Sequence, residues 1–388
     1  MNKSYQFTYP NKSKMNKKDG KVNLPNHSEA KVKLLGEYLK RYLNIISNDG
    51  YTEKINIYDL FCGPGLYDDG GEGSPIVALR QIKETYYSII DKKPNKQPKI
   101  NCSFNDIDKA MVSRLTAAIK EKSLHYDIFG SLHITSNDYK DEIETLKPLF
   151  KTYKNEKAFV FIDPCGYKEI KAEDIKGLMT CNKKSEVLLW LPIQFMYRFA
   201  DEGTPEVLQN FINQLNIQNE VESVKNVWEF ISTLKTAFQN YLGDEFFVDN
   251  FSLKKEENTV FCLYFFTSHI RGFEKMLEAK WEIDTEEGRG WEFTGNSPSL
   301  FFEHKTNELE EKLKSRIKNG NCSNGDIYEF TLRQGYLPKH TNEIFKDWQK
   351  NNGFEVILAS GEPARKGAFY TTYDNYRDNH DKVFFKLK

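Results

Sequence analysis

An α/β fold on a largely parallel sheet, followed by a small α+β domain, is what this 388-residue chain predicts. Three observations carry the prediction. Short β-rich runs alternate with helical segments between residues 55 and 192; a glycine-bearing turn closes the first run; and beyond residue 300 the order becomes helix, helix, strand, loop, strand. Alternation at this spacing requires parallel neighbours, because a parallel pair needs a crossover long enough to cover the sheet face.

The opening residues are polar, lack apolar periodicity and are read as a flexible basic arm over 1–25. From Ser28 to Ile46, Val32, Leu35, Leu39, Leu43 and Ile46 recur at three- and four-residue steps, an amphipathic helix with Ser28 as cap. The β-rich runs are Ile55–Phe61, Ile100–Asn105, Leu132–Thr135, Ala158–Asp163 and Glu186–Pro192, and helices fit Pro75–Ile90, Lys109–Lys120, Tyr139–Tyr153 and Ala172–Met179. A helical segment within 202–242 follows, read over Thr204–Tyr241, then strands Phe246–Leu253 and Thr259–Thr267 around a polar turn. Five parallel strands plus an antiparallel hairpin is the order of the Rossmann-like methyltransferase sheet. The main domain is therefore bounded at 26–306 and the tail at 307–388. In the tail, helices over Gly325–Arg333 and Thr341–Asn352 and strands over Phe354–Ala359 and Ala368–Tyr373 compose a winged-helix-like α+β domain.

Composition excludes several classes. At 39% apolar, 29% charged and 14% aromatic residues, the chain is globular rather than disordered or fibrous. No apolar run approaches the ~20 residues that span a bilayer, and the amino terminus has no apolar signal core, which reads as a cytoplasmic protein without a membrane partner. The six cysteines lie far apart without a C-x-x-C pair, so no metal site and no disulfide framework is expected. The net charge of −1 is uneven: residues 1–21 carry six Lys against Asp19, and 311–388 carry 14 Lys/Arg against 10 Asp/Glu, leaving −10 over residues 22–310. Any nucleic-acid contact therefore belongs to the ends of the chain.

Asp59-Leu60-Phe61-Cys62-Gly63-Pro64-Gly65 closes the first strand with an acid four residues before the first glycine. Glycines there allow a tight turn and close backbone approach to a ligand, and the next helix offers unpaired N–H groups. The spacing departs from G-x-G-x-x-G, which weakens a dinucleotide reading and favours an S-adenosylmethionine loop. Asp106, ending the second strand, is placed to accept from ribose hydroxyls, with Asp108 as competitor and helix capping as the plain alternative for either. Asn137 and Asp138 follow the third strand, near an adenine or as caps of the next helix.

Phe161-Ile162-Asp163-Pro164-Cys165-Gly166-Tyr167 brings an acid and a proline to the carboxyl edge of the sheet, where open α/β folds bind ligands. In amino-methyltransferases with a D-P-P-Y loop, the Asp carboxylate and Pro carbonyl accept the hydrogens of an exocyclic amine and so direct its lone pair at the methyl donor. Here the aromatic is displaced to Tyr167, available to stack on a flipped base. The alternative is Asp163 as cap of a helix from Lys168. A covalent role for Cys165 would need a basic neighbour, and Lys168 is the only one nearby. Gln194 and Arg198, after the fifth strand, are further candidates to face substrate.

The helix beginning at His27, DLFCGPG (59–65) followed by GEGSP (71–75), FIDPCGY (161–167) and LYFFTSHIRGFEKMLEAKW (263–281) together resemble the bacterial three-Cys-motif partner proteins. The resemblance implies a class I, Rossmann-like methyltransferase core with a carboxyl-terminal extension, and a partner carrying a three-cysteine motif. It implies cofactor contacts from Asp59, Phe61, Gly63 and Gly65, with Asp106 on the ribose and Asp138 near the adenine. Asp163, Pro164 and Tyr167 would face the acceptor, and Ser74 would cap the helix after the loop. Cys165 stands where the family has Phe, and Cys62 where Ala is commoner.

In the tail, Lys339, His340, Lys346 and Lys350 mark a helix suited to a major groove, and Arg365 and Lys366 mark the turn of a basic wing. Glu343, Asp347 and Glu362 dilute that charge. The expected function is an S-adenosylmethionine-dependent methyltransferase acting on an exocyclic amine of a base in DNA or RNA, with bacterial defence as the setting the family association suggests. Two alternatives stand beside it: a non-catalytic, degenerate methyltransferase fold that binds nucleic acid or docks a partner protein, and a methyltransferase of small molecules or proteins.

Overall fold

The computed structural model describes residues 26–93, 96–164, 166, 170–198, 205–256, 259–284, 290–292 and 307–388. The expected basic arm lies outside them. Helix α1 (Asn26–Asn48) turns Leu34, Leu35, Tyr38, Leu39 and Leu43 into the interior, as its three-and-four spacing requires.

Alternation then builds the sheet: β1 (Lys54–Asp59), α2 (Ser74–Thr85, ending in a π-turn over Tyr86–Ile90), β2 (Lys99–Asn105), α3 (Lys109–Glu121), β3 (Leu132–Thr135), α4 (Tyr139–Lys151), β4 (Glu156–Ile162), α5 (Ala172–Thr180) and β5 (Ser185–Leu191). Helices α6 (Ile193–Arg198), α7 (Glu206–Leu215), α8 (Gln218–Ser223) and α9 (Val227–Leu242) precede β6 (Phe247–Glu256), β7 (Thr259–Thr267), α10 (Ile270–Ile283) and β8 (Gly290–Glu292). The strand order is β3-β2-β1-β4-β5-β7-β6-β8. β1 to β5 are parallel, β7 runs antiparallel to both β5 and β6, and β8 adds a parallel edge to β6. This is the Rossmann-like methyltransferase sheet that the sequence predicts, with β8 as an addition.

Successive strand residues face opposite layers. Phe159, Phe161, Leu188, Trp190 and Phe265 pack toward α1, α2 and α10, whereas Val160, Ile162, Val187, Leu189 and Tyr264 pack toward α4, α5 and α9. Strands buried on both faces explain why β4 and β5 read as continuous apolar runs.

The tail comprises α11 (Asn307–Lys318), β9 (Cys322–Ser323), α12 (Asn324–Arg333), α13 (Pro338–Lys350), β10 (Phe354–Leu358), α14 (Tyr373–Asp378) and β11 (Val383–Leu387), with sheet order β10-β11-β9. This helix-strand-helix-helix-strand-wing-strand order is a winged helix.

Two expectations are corrected and one helix is added. The segment expected to be helical throughout over Thr204–Tyr241 is interrupted among its described residues: Asn216 adopts φ +55° and ends α7, and Asn226 starts α9 by accepting from the N–H groups of Trp228 and Glu229. The second wing strand is Val383–Leu387, not Ala368–Tyr373, because Tyr370 takes φ +56° and cannot extend a strand. Helix α10 was not foreseen, although Phe273, Met276 and Leu277 have helical spacing.

Helix α10 joins the two halves. Its Lys280 forms a buried ion pair with Asp249 on β6, which Lys235 of α9 also reaches at 3.2 Å. Its Trp281 donates to the Gly335 carbonyl at 3.0 Å and packs on His340. Removing one member of a buried pair strands the other charge. Lys280→Met is expected to cost about 3 kcal/mol, the low end because Lys235 remains, and Lys280→Met with Asp249→Leu to recover most of it, read by denaturant unfolding.

Candidate active site

The carboxyl ends of β1, β2 and β4 meet above the glycine turn. Gly63 and Gly65 take φ +60° and +69°, a region natural to glycine, and a Cβ on Gly65 would stand 2.4 Å from Leu115 Cδ1. The turn is pinned by Cys62 N–H on the Asn105 carbonyl (2.8 Å), by Gly63 N–H on Asp106 Oδ2 (3.0 Å) and by Gly73 N–H on the Gly65 carbonyl (2.6 Å). Each bond ties the turn to a neighbouring element.

Asp59 is 3% exposed at the end of β1. Its Oδ1 accepts from Phe61 N–H at 3.3 Å, while its buried Oδ2 has no protein partner. Burial pushes its carboxyl up to about 7; Asp163 adds to the rise, and the Ser74 hydroxyl, Phe61 N–H and Lys31 oppose it. A buried carboxylate oxygen without a partner is costly and points to a donor that arrives with a ligand.

Asp163 follows β4, half-buried, with Pro164 buried beside it. Tyr167, Cys165 and Lys168 lie outside the described residues. Lys31 of α1 donates to Asp163 Oδ2 and stands 4.8 Å from the Trp190 ring centroid. Gln194 and Arg198 lie on α6, where Arg198 is exposed and Gln194 half-buried.

Other candidates take up local roles. The Asp106 carboxylate bridges Gly63 N–H and, at 2.9 Å, Asp108 N–H, so it lies at the turn; Asp108 caps α3. Asp138 is exposed and caps α4, accepting from Lys140 N–H at 2.8 Å. The half-buried Phe61 ring stacks on Tyr139 at 5.1 Å. Ser74 does not cap α2: Gly73 holds that position, and Ser74 is the buried first residue of the helix.

In the winged helix, Lys339, Lys346 and Lys350 are exposed on α13, and Arg365 and Lys366 on the wing, whose Gly367 N–H donates to Gln349 Oε1 of α13 at 3.0 Å. His340 does not belong to that surface. It is buried, its Nδ1 accepts from Leu337 N–H at 3.1 Å, and burial lowers its pKa to about 4, leaving it neutral.

Sequence reasoning missed Lys31, since its partner is 132 residues away. The only signal was a lysine at position 31 on the inward side of an amphipathic helix, between Ala30 and Val32.

A family model described as a GMT-like wHTH domain matches residues 285–361. No curated protein matches the chain. Among solved structures, a Legionella pneumophila protein of family-model DUF519 is similar at 11% identity and TM-score 0.40, over 65% of this chain and 89% of that one. An O-methyltransferase from Bacillus cereus, crystallised with SAH, is similar at 12% identity and TM-score 0.33, over 63% and 84%. The Streptomyces achromogenes O-methyltransferase TomG, crystallised with SAM, is similar at 11% identity and TM-score 0.33, over 63% and 92%. Among the described residues, no helix is long and apolar enough to cross a membrane.

Asp59 carries a stability cost with a definite sign. Its folded pKa lies above the ordinary 3.8, so its contribution is most favourable below pH ~4 and is lost as pH rises through about 7. Asp59→Asn is expected to melt close to wild type at pH 4 and above it at pH 8, measured by thermal unfolding across pH.

Proposed function

We propose that the chain is an S-adenosylmethionine-dependent methyltransferase acting on an exocyclic amine of a nucleic-acid base. The observation that carries this reading is the unpartnered buried Oδ2 of Asp59 beside the glycine turn, facing Asp163 across the sheet edge. The cofactor's methionyl ammonium supplies the missing donor for Asp59, and Gly63 and Gly65 allow close backbone approach. Asp106, already at the turn, is the candidate for the ribose, with Asp138 and the 68% exposed Ile107 near the adenine. When bound, the cofactor supplies an electrophilic methyl on sulfur.

The chain's own residues would position the acceptor. Asp163 and the Pro164 carbonyl accept the amine hydrogens, which holds the nitrogen lone pair free; Tyr167 is the candidate base stack. Methyl transfer to an amine needs orientation more than acid–base work, and orientation is what a fixed carboxylate supplies. The winged helix would hold the polymer through Lys339, Lys346, Lys350, Arg365 and Lys366. A three-cysteine-motif protein as partner and bacterial defence as setting rest on the family resemblance.

Titration calorimetry with S-adenosylmethionine tests the cofactor. Micromolar binding by wild type and its loss in Asp59→Ala, Gly63→Ala are expected; no binding by a well-folded wild type would move the case to the non-catalytic docking module. For the tail, replacing Lys346, Lys350, Arg365 and Lys366 with Ala is expected to weaken DNA or RNA binding across sequences and flatten the log K against log salt slope. The flattening should be roughly 0.7–0.9 for each phosphate that the variant no longer neutralises. An unchanged slope would remove the tail from the nucleic-acid interface.

A further inference from the structure

The surroundings of Asp163 are more specific than a loop carboxylate needs. Lys31 reaches its Oδ2 from α1 with a side chain only 9% exposed. The same ammonium lies over one indole, Trp190, which in turn stacks on Phe261 at 4.9 Å with planes 15° apart. A lysine ammonium is compact and strongly hydrated, and holding it against one carboxylate and one ring gives little net stability.

Location separates this pair from the buried pair on α10. Lys280 and Asp249 lie away from the glycine turn, between α10 and β6. Lys31 and Asp163 lie at the carboxyl edge beside a second carboxylate, Asp59. The groups facing Asp59 are Lys31 from α1, Asp163 beyond β4, the Ser74 hydroxyl from α2 and the Cys62 thiol of its own turn. A second carboxylate nearby disfavours the charged form of the first unless a cation is supplied.

We propose that Lys31 is the positioning residue of the acceptor side of the site: it clamps Asp163 Oδ2 from above Trp190, fixing the plane of that carboxylate, and leaves Oδ1 outside the pair for the acceptor N–H. The inference rests on the methyltransferase reading and deepens it. Lys31 forms no bond to substrate and gives up no proton; its effect passes through Asp163. Removing its charge while keeping its length should let Asp163 rotate and, by taking away the cation that opposes the rise at Asp59, raise the pH at which Asp59 becomes available to a cationic ligand.

The experiment uses the full chain, Lys31→Met and Lys31→Arg. Two readouts are taken: the pH dependence of S-adenosylmethionine affinity by calorimetry, and transfer of labelled methyl to a mixture of total RNA and genomic DNA. In Lys31→Met the midpoint of cofactor binding should move up by about one pH unit, and transfer should fall about 10- to 100-fold in kcat with cofactor affinity above the midpoint nearly unchanged. Lys31→Arg should restore both in large part. A lysine that acted on Asp59 through its charge alone would move the midpoint and leave kcat where it is. Wild-type binding and transfer with kcat unchanged in Lys31→Met overturns the inference and leaves the methyltransferase reading standing. If wild type binds no cofactor, the reading fails and the inference falls with it. If wild type binds cofactor but methylates neither polymer, the acceptor class is wrong and the inference, which needs that acceptor, falls with it.

Discussion

Asp59 is a carboxylate buried beside a second carboxylate, Asp163, with Lys31 as the cation facing both. Much of the core's architecture serves to hold these groups in place. The glycine turn keeps backbone close to Asp59 and brings Asp106 to Gly63; a Cβ in the turn would displace Leu115 of α3. Helix α1 has to arrive at a fixed depth for Lys31 to reach across to β4. It is held by a second buried polar group: Tyr38 donates to Glu186 Oε2 of β5, and Thr267 of β7 donates to Glu186 Oε1 at 2.8 Å. Burial pushes Glu186 up to about 7, so its two hydroxyl donors are what make its place in the core tolerable. At Gly272 of α10 a Cβ would stand 2.2 Å from Glu186 Oε1, which explains a glycine at that point of the helix.

The charge asymmetry of the chain acquires a structural meaning. The acidic stretch contains the methyltransferase sheet, and most of the positive surplus lies in the amino-terminal arm and the winged helix. Helix α10 couples sheet and tail through one buried ion pair and one indole hydrogen bond. His340 belongs to that coupling: its ring packs 4.3 Å from Trp281, and a charge there would be buried. The basic face of α13 therefore consists of lysines alone.

Much of the fold was legible because strands buried on both faces leave continuous apolar runs, and helices leave three-and-four spacing. Boundaries for β3 and β7 match the residues expected. What was illegible depends on context. β7 and α10 follow one another with only Ser268 and His269 between them, so no longer polar loop announces the change. The wing strand was misplaced because Ala368–Tyr373 is as aromatic as a strand, and Tyr370's left-handed backbone leaves no trace in composition. At the site, the motifs located Asp59, the glycines and Asp163, which sit where local sequence dictates. Asp138 and Asp108 each cap the helix that follows, the role that short-range chemistry always offers an acid before a helix. Lys31 was hard to read because its inward place on α1 shows that it is buried but not which carboxylate, 132 residues away, it meets.

The Cys62 thiol sharpens the chemistry of the pocket. It lies in the turn next to Asp59, buried, and burial together with the fields of Asp59 and Asp106 pushes its pKa far above the usual thiol range. A protonated thiol there is a small packing group, so Cys62 offers no thiolate nucleophile. The histidines whose pKa burial lowers stand elsewhere: His340 and His269 belong to the tail and its junction with the core, and His125 packs beside Phe129. What converges at this sheet edge, among the described residues, is a pair of carboxylates, a fixed cation and one indole beneath it. Such a set orients and stabilises a positively charged or amine-bearing ligand, and it has little means of activating a poor nucleophile. On the proposed reading, the acceptor would have to bring its own nucleophilic nitrogen.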